Sequence, residues 1–131
     1  MLADWGSGYP TVWLGVTAGC RASLGRVERL AEIPAAIRFV SAEPLLESLD
    51  LRPFLHSIDW VIIGCERAKK GNRRLMNLDW VREINTHCRS AGVPHFFKQY
   101  YVADSGIPCE DGMLDGISRQ EWPHSRERLA A

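Results

Sequence analysis

Apolar and polar positions alternate in short blocks along the first hundred residues, and each block has the period of a strand or a helix. Helical spacing of apolar residues predicts helices over residues 22–33 and from Asn77 to Gly92, and a short helix capped by Asp50 is predicted around residues 53–56. Four short runs rich in β-branched and aromatic residues predict strands at residues 12–17, 36–44, 59–64 and 95–99.

Strands that alternate with helices predict an α/β fold of about four parallel strands joined by right-handed crossovers. The strands belong either to an open sheet or to part of a (β/α) barrel. The continuous apolar run at residues 59–64 is typical of a strand covered on both faces. A chain of 131 residues fits a single domain over residues 1–131, with a regular core at about 10–100 and an irregular, glycine- and proline-rich tail at about 101–131.

Charge and cysteine content narrow the class of protein. Sixteen basic and sixteen acidic residues cancel, so only a local patch could favour nucleic acid. No apolar run approaches the ~20 residues that span a bilayer, and no signal peptide precedes the first strand. Four scattered cysteines lack the spacing of a zinc site or a disulfide framework. We therefore expect a soluble cytoplasmic protein with no metal motif and no membrane contact.

Polar side chains gather where the predicted strands end, which is where such folds bind ligands. Two carboxylates, Glu43 and Glu66, and the ammonium of Lys98 are candidate catalytic groups, since they could bind an amine, hold a metal or transfer a proton. A structural ion pair between Glu43 and Lys98 is the alternative. The polar residues at the four strand ends are Thr17, Ser41, Glu43, Glu66, Lys98 and Gln99.

The loop over residues 67–74 holds the densest basic charge, and its Gly71-Asn72 pair favours a turn. Arg67, Arg73 and Arg74 could bind phosphate or nucleic acid there. A solvated loop between a strand and a helix is commonly charged as well.

Two cysteines, Cys20 and Cys65, follow strands and could form a thiol pair. If the strand order follows the sequence, one strand separates them by roughly 10 Å, too far for a disulfide. Cys88 lies on the apolar stripe of its helix and is predicted to be a core residue. Trp13 and Trp60 are interpreted as packing residues.

Five ordered blocks resemble one known family, the gene product 37/gene product 68 family of phage and prophage proteins, a domain of unknown function. The resemblance covers about Asp4 to Pro123. The blocks are VWLGVT, IPAAIRFVSAEPLL, DWVIIGCE, MNLDWVREI and AGVPHFFKQY.

The resemblance implies the C-terminal half of a (β/α) barrel of the radical S-adenosylmethionine type. Full-length relatives carry an N-terminal three-cysteine motif suited to a [4Fe-4S] cluster that binds S-adenosylmethionine. This chain begins after that motif, so the resemblance implies no cofactor in the chain itself and no activity in isolation.

The same resemblance marks site residues. Glu43 matches the family's SxEPLL block, Gly64 and Glu66 match its GGE block, and Lys98 with Gln99 match its FFKQ block. The chain departs from the common pattern at Gly19-Cys20, where the family has an acidic residue and asparagine, at Cys65, where it has glycine, and at Arg67-Ala68, where it has serine and glycine.

Three functions therefore remain open for the chain. The first is the substrate-side half of a radical S-adenosylmethionine-like enzyme. The second is a non-catalytic module that binds nucleic acid or protein through residues 67–74. The third is a prophage remnant, whose exposed sheet edges would favour a homodimer.

Overall fold

Four parallel strands form one sheet, and their order in space follows their order in the sequence. The computed structural model describes residues 4–102 and 106–123. Neighbouring strands are in parallel register throughout the sheet, with Thr17 beside Ser41 and Val40 beside Val61. The strands are β1 (Trp13–Thr17), β2 (Ile37–Ala42), β3 (Trp60–Gly64) and β4 (His95–Gln99).

Two α-helices connect the strands as the apolar spacing predicts. A 3₁₀ turn (Arg21–Ser23) leads into α1 (Leu24–Glu32) after β1, and α2 (Leu78–Ala91) lies between β3 and β4. The side chain of Asn77 accepts a hydrogen bond from the Asp79 N–H and caps α2, which ends at Gly92 in a left-handed conformation. Both helix predictions are confirmed.

The connection between β2 and β3 contains no α-helix. Its only helical part is a single 3₁₀ turn, Leu55–Ser57. The Asp50 carboxylate accepts the backbone N–H of Arg52 and binds its guanidinium, so it stabilises a turn ahead of the 3₁₀ segment instead of capping a helix. The predicted short helix is therefore present only as that turn, and the predicted cap is wrong.

Both helices pack on one face of the sheet and form the hydrophobic core there. Sequential strand order with every helix on one side is the arrangement of consecutive units of a (β/α) barrel, whereas a doubly wound sheet has a switch in strand order and helices on both faces. Core residues from α1, α2, β2, β3 and β4 include Val27, Leu30, Val81, Ile84, Cys88, Val40, Ala42, Val61, Ile63 and Phe97.

The opposite face of the sheet, called the inner face below, has no helix on it in the part of the chain that the structure describes. Ile62 is only half-buried, and Trp13 is 46% exposed. Crossovers of one hand along a sequential sheet send every helix to the same side. Strand β3 is nevertheless buried on both faces except at Ile62, with Trp60 only 7% exposed, so the expectation for residues 59–64 holds for most of the strand. Side chains of the inner face come from Trp13, Thr17, Phe39, Ser41, Trp60, Ile62, Phe96 and Lys98.

The tail contains regular pairing that the sequence did not reveal. A hairpin forms from β5 (Met113–Leu114) and β6 (Ile117–Ser118). Residues 119–121, called the edge segment, run antiparallel to β4, with hydrogen bonds from Phe97 N–H to Arg119 O (2.6 Å) and from Glu121 N–H to His95 O (3.0 Å). The predicted loop-rich tail therefore contains a hairpin and an edge segment. Residues 103–105 and 124–131 of the tail lie outside the described residues.

An aromatic cluster occupies the inner face where the strands begin. Trp122 follows the edge segment and stacks on Trp60, with ring centroids 4.9 Å apart and planes at 28°. Trp13, Phe39 and Phe96 meet Trp60 edge-on at about 6 Å. Trp60 is thus a packing residue as predicted, while Trp13 packs on it and remains half-exposed.

Candidate functional site

Glu43 lies at the carboxyl end of β2, on the inner face, and is the centre of the candidate site. Its carboxylate accepts a hydrogen bond from Gln99 Nε2 at 2.9 Å, and Lys98 Nζ lies 3.3 Å from each of its oxygens. The Glu43 side chain is 20% exposed and that of Lys98 is 46% exposed. Three of the six side chains predicted at the strand ends therefore converge. The ion pair between Glu43 and Lys98, which was the structural alternative to a catalytic role, is present.

Glu43 and its two partners meet across an intervening strand. Glu43 follows β2, and Lys98 and Gln99 end β4, with Gly64 of β3 between them. A Cβ atom at Gly64 would lie 3.1 Å from Cδ of Glu43 and 3.2 Å from its Cγ. Glycine at position 64 therefore leaves the space through which the carboxylate reaches β4, which gives this predicted site residue a physical role.

A register irregularity turns two successive side chains of β4 toward one carboxylate. Ile63 pairs with Phe97, whereas the next residue, Gly64, pairs with Gln99. Successive side chains of a regular strand point to opposite faces, and a bulge re-aims them. Lys98 and Gln99 can both bind Glu43 because of this shift, which the sequence pattern alone did not indicate.

Gln99 is fully buried, and its side-chain amide has one chemically sensible orientation. Nε2 donates to Glu43 and to the backbone carbonyl of Cys65, at 2.9 Å and 3.0 Å. Reversing the amide would set an oxygen against two acceptors, so the assignment follows from the partners. Within residues 4–102 and 106–123 the other end of the amide, Oε1, has no hydrogen-bond donor, which leaves an acceptor beside the carboxylate.

Thr17 and Ser41, two of the polar residues predicted at the strand ends, lie side by side at the end of the sheet. They are register partners on β1 and β2, and Thr17 is exposed while Ser41 is half-buried. Both side chains point to the inner face, the face that carries Glu43.

Glu66, predicted to line one cleft with Glu43 and Lys98, binds Arg74. Its carboxylate accepts the backbone N–H of Arg74 at 2.7 Å and the guanidinium of the same residue at 2.6 Å. Hydrogen bonds from Arg74 lower the pKa of Glu66 to about 2. Glu66 therefore stays ionised near neutral pH and closes the loop over residues 67–74 through Arg74. No hydrogen bond joins Glu66 to Glu43 or Lys98 within the described ranges.

The arginines of that loop are engaged within the chain. Arg74 binds Glu66, Arg67 lies 3.2 Å from Glu110, and the guanidinium of Arg73 lies 3.4 Å above the ring of Tyr101. A phosphate would have to compete with these contacts, which weakens the case for a phosphate-binding loop. The sequence analysis did not predict that Tyr101 contacts Arg73 or that Trp122 stacks on Trp60. The only available sign was that aromatic residues occur in an otherwise glycine-rich tail.

The sequence matches a known protein family over most of its length. The family model for a protein of unknown function, DUF5131, matches residues 2–123. The chain belongs to this family. No curated protein and no solved structure gives a significant match to the DUF5131 chain.

The four cysteines of the DUF5131 chain are all free. Strand β2 lies between β1 and β3, so Cys20 and Cys65 are separated as the sequential strand order predicts. Burial raises the pKa of the Cys65 thiol and raises that of Cys88 to about 12. Cys88 is fully buried, and its prediction as a core residue is confirmed. Neither buried thiol has the low pKa of a reactive cysteine.

The described cysteines do not lie together as the three ligands of an iron–sulfur cluster would. In the portion of the chain described by the structure, no group of three or more histidine, cysteine, aspartate or glutamate side chains could hold a metal ion. A pocket of about 60 Å³ beside Cys65, Arg73 and Tyr100 is small against the ~300–1,000 Å³ of typical ligand sites.

Over residues 4–102 and 106–123, no helix is long and apolar enough to cross a membrane.

Proposed function

We propose that this DUF5131 chain forms the substrate-binding wall of a radical S-adenosylmethionine-like (β/α) barrel of the kind found in the phage proteins that its sequence resembles. One observation carries the proposal. Glu43, Lys98 and Gln99 converge at the carboxyl ends of parallel strands, on the face that the helices leave open. Ligands of (β/α) barrels bind at that end of the strands.

The three side chains have different roles in binding a polar group. The Glu43 carboxylate accepts hydrogen bonds from a ligand amine or hydroxyl, and the half-exposed Lys98 ammonium attracts a negatively charged group. Gln99 is a positioning residue, because its buried amide holds the carboxylate against the backbone of Cys65. A substrate with both a hydrogen-bond donor and an anionic group fits this set best.

Radical chemistry is not assigned to the residues of this chain. A bound [4Fe-4S] cluster would supply the electron that cleaves S-adenosylmethionine, and the described residues bring no three candidate ligands together. We expect the chain alone to be catalytically silent, and a relative with the three-cysteine motif to be active.

Anaerobic reconstitution with iron and sulfide tests the proposal in two arms. The chain alone should show no visible absorption from a [4Fe-4S] cluster and no cleavage of S-adenosylmethionine, whereas a full-length relative with the three-cysteine motif should show both. A stable cluster with cleavage in the chain alone contradicts the proposal. So does a relative that takes up the cluster but leaves S-adenosylmethionine intact.

A further inference from the structure

The outer edge of β1 exposes backbone groups that pair with no strand among the described residues. The N–H of Ala18 donates to Ser41 O on β2, so in the alternating pattern of a strand Trp13, Gly15 and Thr17 direct their backbone groups away from β2. Among the described residues β1 pairs with β2 alone. The partner found for this edge is the Arg26 guanidinium, which donates to Thr17 O at 3.0 Å.

The sequence of β1 lacks the features that usually prevent edge pairing. Its residues, WLGVT, include no charge and no proline, and its register with β2 is regular. Natural edge strands are commonly protected by lysine, proline or a bulge. The opposite edge of the sheet is protected, because the edge segment covers β4.

We propose that two copies of the chain associate by antiparallel pairing of their β1 strands about a two-fold axis at Gly15. Pairing of β1 with β4 of another copy is blocked by the edge segment, which leaves β1 against β1 as the self-complementary arrangement. Gly15 of each copy then exchanges both backbone hydrogen bonds, and Trp13 of one copy lies opposite Thr17 of the other.

The side chains along this line favour the pairing. Both members of the Trp13–Thr17 pair are uncharged and lie on the inner face, where Trp13 is 46% exposed. Aromatic and β-branched residues opposite each other stabilise antiparallel strands. The eight-stranded sheet so formed leaves Glu43, Lys98 and Gln99 uncovered. It uses the β1 edge that a neighbouring strand would occupy in the proposed barrel, so it applies to this chain on its own and is an alternative to barrel closure at that edge.

Among the described side chains, Arg26 is the one found to compete with a second strand for a backbone group of β1. Its contact with Thr17 O occupies a carbonyl that the pairing needs at each end of the interface. Replacing this arginine removes a competitor and a positive charge from the edge, and therefore strengthens association.

Sedimentation velocity over a concentration series tests the proposal. Trp13→Lys places a charge on the edge and should weaken the dimer by on the order of tenfold. Arg26→Ala should strengthen it. Ile117→Lys, at a residue that is 52% exposed on β6, is the matched control and should leave the dissociation constant unchanged.

Amide hydrogen exchange supplies a readout that does not depend on the variants. The N–H groups of Trp13, Gly15 and Thr17 should gain protection as the concentration rises, while those of Leu14 and Val16, which face β2, should stay protected throughout. A monomer at every concentration with rapid exchange at Gly15 overturns the proposal. A dimer that responds to neither Trp13→Lys nor Arg26→Ala overturns it as well, since another surface then mediates association.

Discussion

Glycine at position 64 is the residue on which the site geometry depends most sharply. A methyl group there would lie within 3.1–3.3 Å of three Glu43 side-chain atoms, so Gly64→Ala requires the Glu43 side chain to shift by a few tenths of an ångström against its contacts with β4. We expect Gly64→Ala to lower the free energy of unfolding by about 1–3 kcal/mol, as overpacking commonly does.

Gly25 provides the matched control for that substitution. A Cβ atom there would have nothing within 4 Å, and the residue lies in α1. Gly25→Ala should raise the free energy of unfolding by about 0.5–1 kcal/mol, because alanine restricts the unfolded chain and favours a helix. Urea denaturation measures both changes. Equal effects at the two glycines would show that position 64 does not adjoin the Glu43 side chain.

His95 makes the stability of the folded protein depend on pH. The imidazole is fully buried on the core face, with Nδ1 3.1 Å from Glu121 Oε1, and burial lowers its pKa below the ordinary value of 6.5. Glu121 opposes this shift, and Arg119 and Arg89 add to it. Between the folded and unfolded pKa values the unfolded chain binds more protons, so stability falls as the pH drops below about 6.5.

Urea denaturation between pH 7.5 and 5 measures this effect. His95→Gln should flatten the pH dependence of the unfolding free energy, whereas His56→Gln, at an exposed position, should preserve it. A wild-type stability that does not change over this range would show that His95 titrates alike in both states.

At the scale of single elements, Glu66 anchors the loop over residues 67–74 through Arg74. Glu66 binds both the backbone and the guanidinium of Arg74, while Glu110 makes a single 3.2 Å contact with the half-exposed Arg67. Glu66→Gln should therefore speed tryptic cleavage after Lys69 and Lys70, whose sites it leaves intact. Glu110→Gln is the matched control and should change the rate little. Equal rates in both variants would mean that Glu66 does not order the loop.

Elements with an internal period were predictable from the sequence, and elements without one were not. The four strands and α2 follow from runs of β-formers and from the stripe Val81, Ile84, Cys88 between Asn77 and Gly92. The edge segment, Arg-Gln-Glu, has no apolar period. Its extended conformation depends on hydrogen bonds to β4, which lies more than twenty residues earlier in the chain, and such contacts leave no local pattern in the sequence. Glu66 was assigned to the site from its strand end, but its partner is a loop residue that strand position cannot reveal.

At the scale of the molecule, sequential strand order explains both the open face and the site on it. Same-handed crossovers send α1 and α2 to one side, and the other side is left with the aromatic cluster where the strands begin and the Glu43 site where they end. The sequence indicated which residues end the strands. It could not indicate that Gly64 and the β4 irregularity bring Glu43, Lys98 and Gln99 together, because both depend on the register of neighbouring strands.

The hydrogen bond between Gln99 and Glu43 tests the central claim most directly, since it joins residues 56 positions apart across β3. The measurement is the side-chain amide signal of Gln99 in ¹H–¹⁵N spectra of the wild type and of Glu43→Ala, with Glu47→Ala as control. We predict slow amide exchange in the wild type and the control, and a shifted, rapidly exchanging signal in Glu43→Ala. An unchanged Gln99 signal in Glu43→Ala would contradict the account.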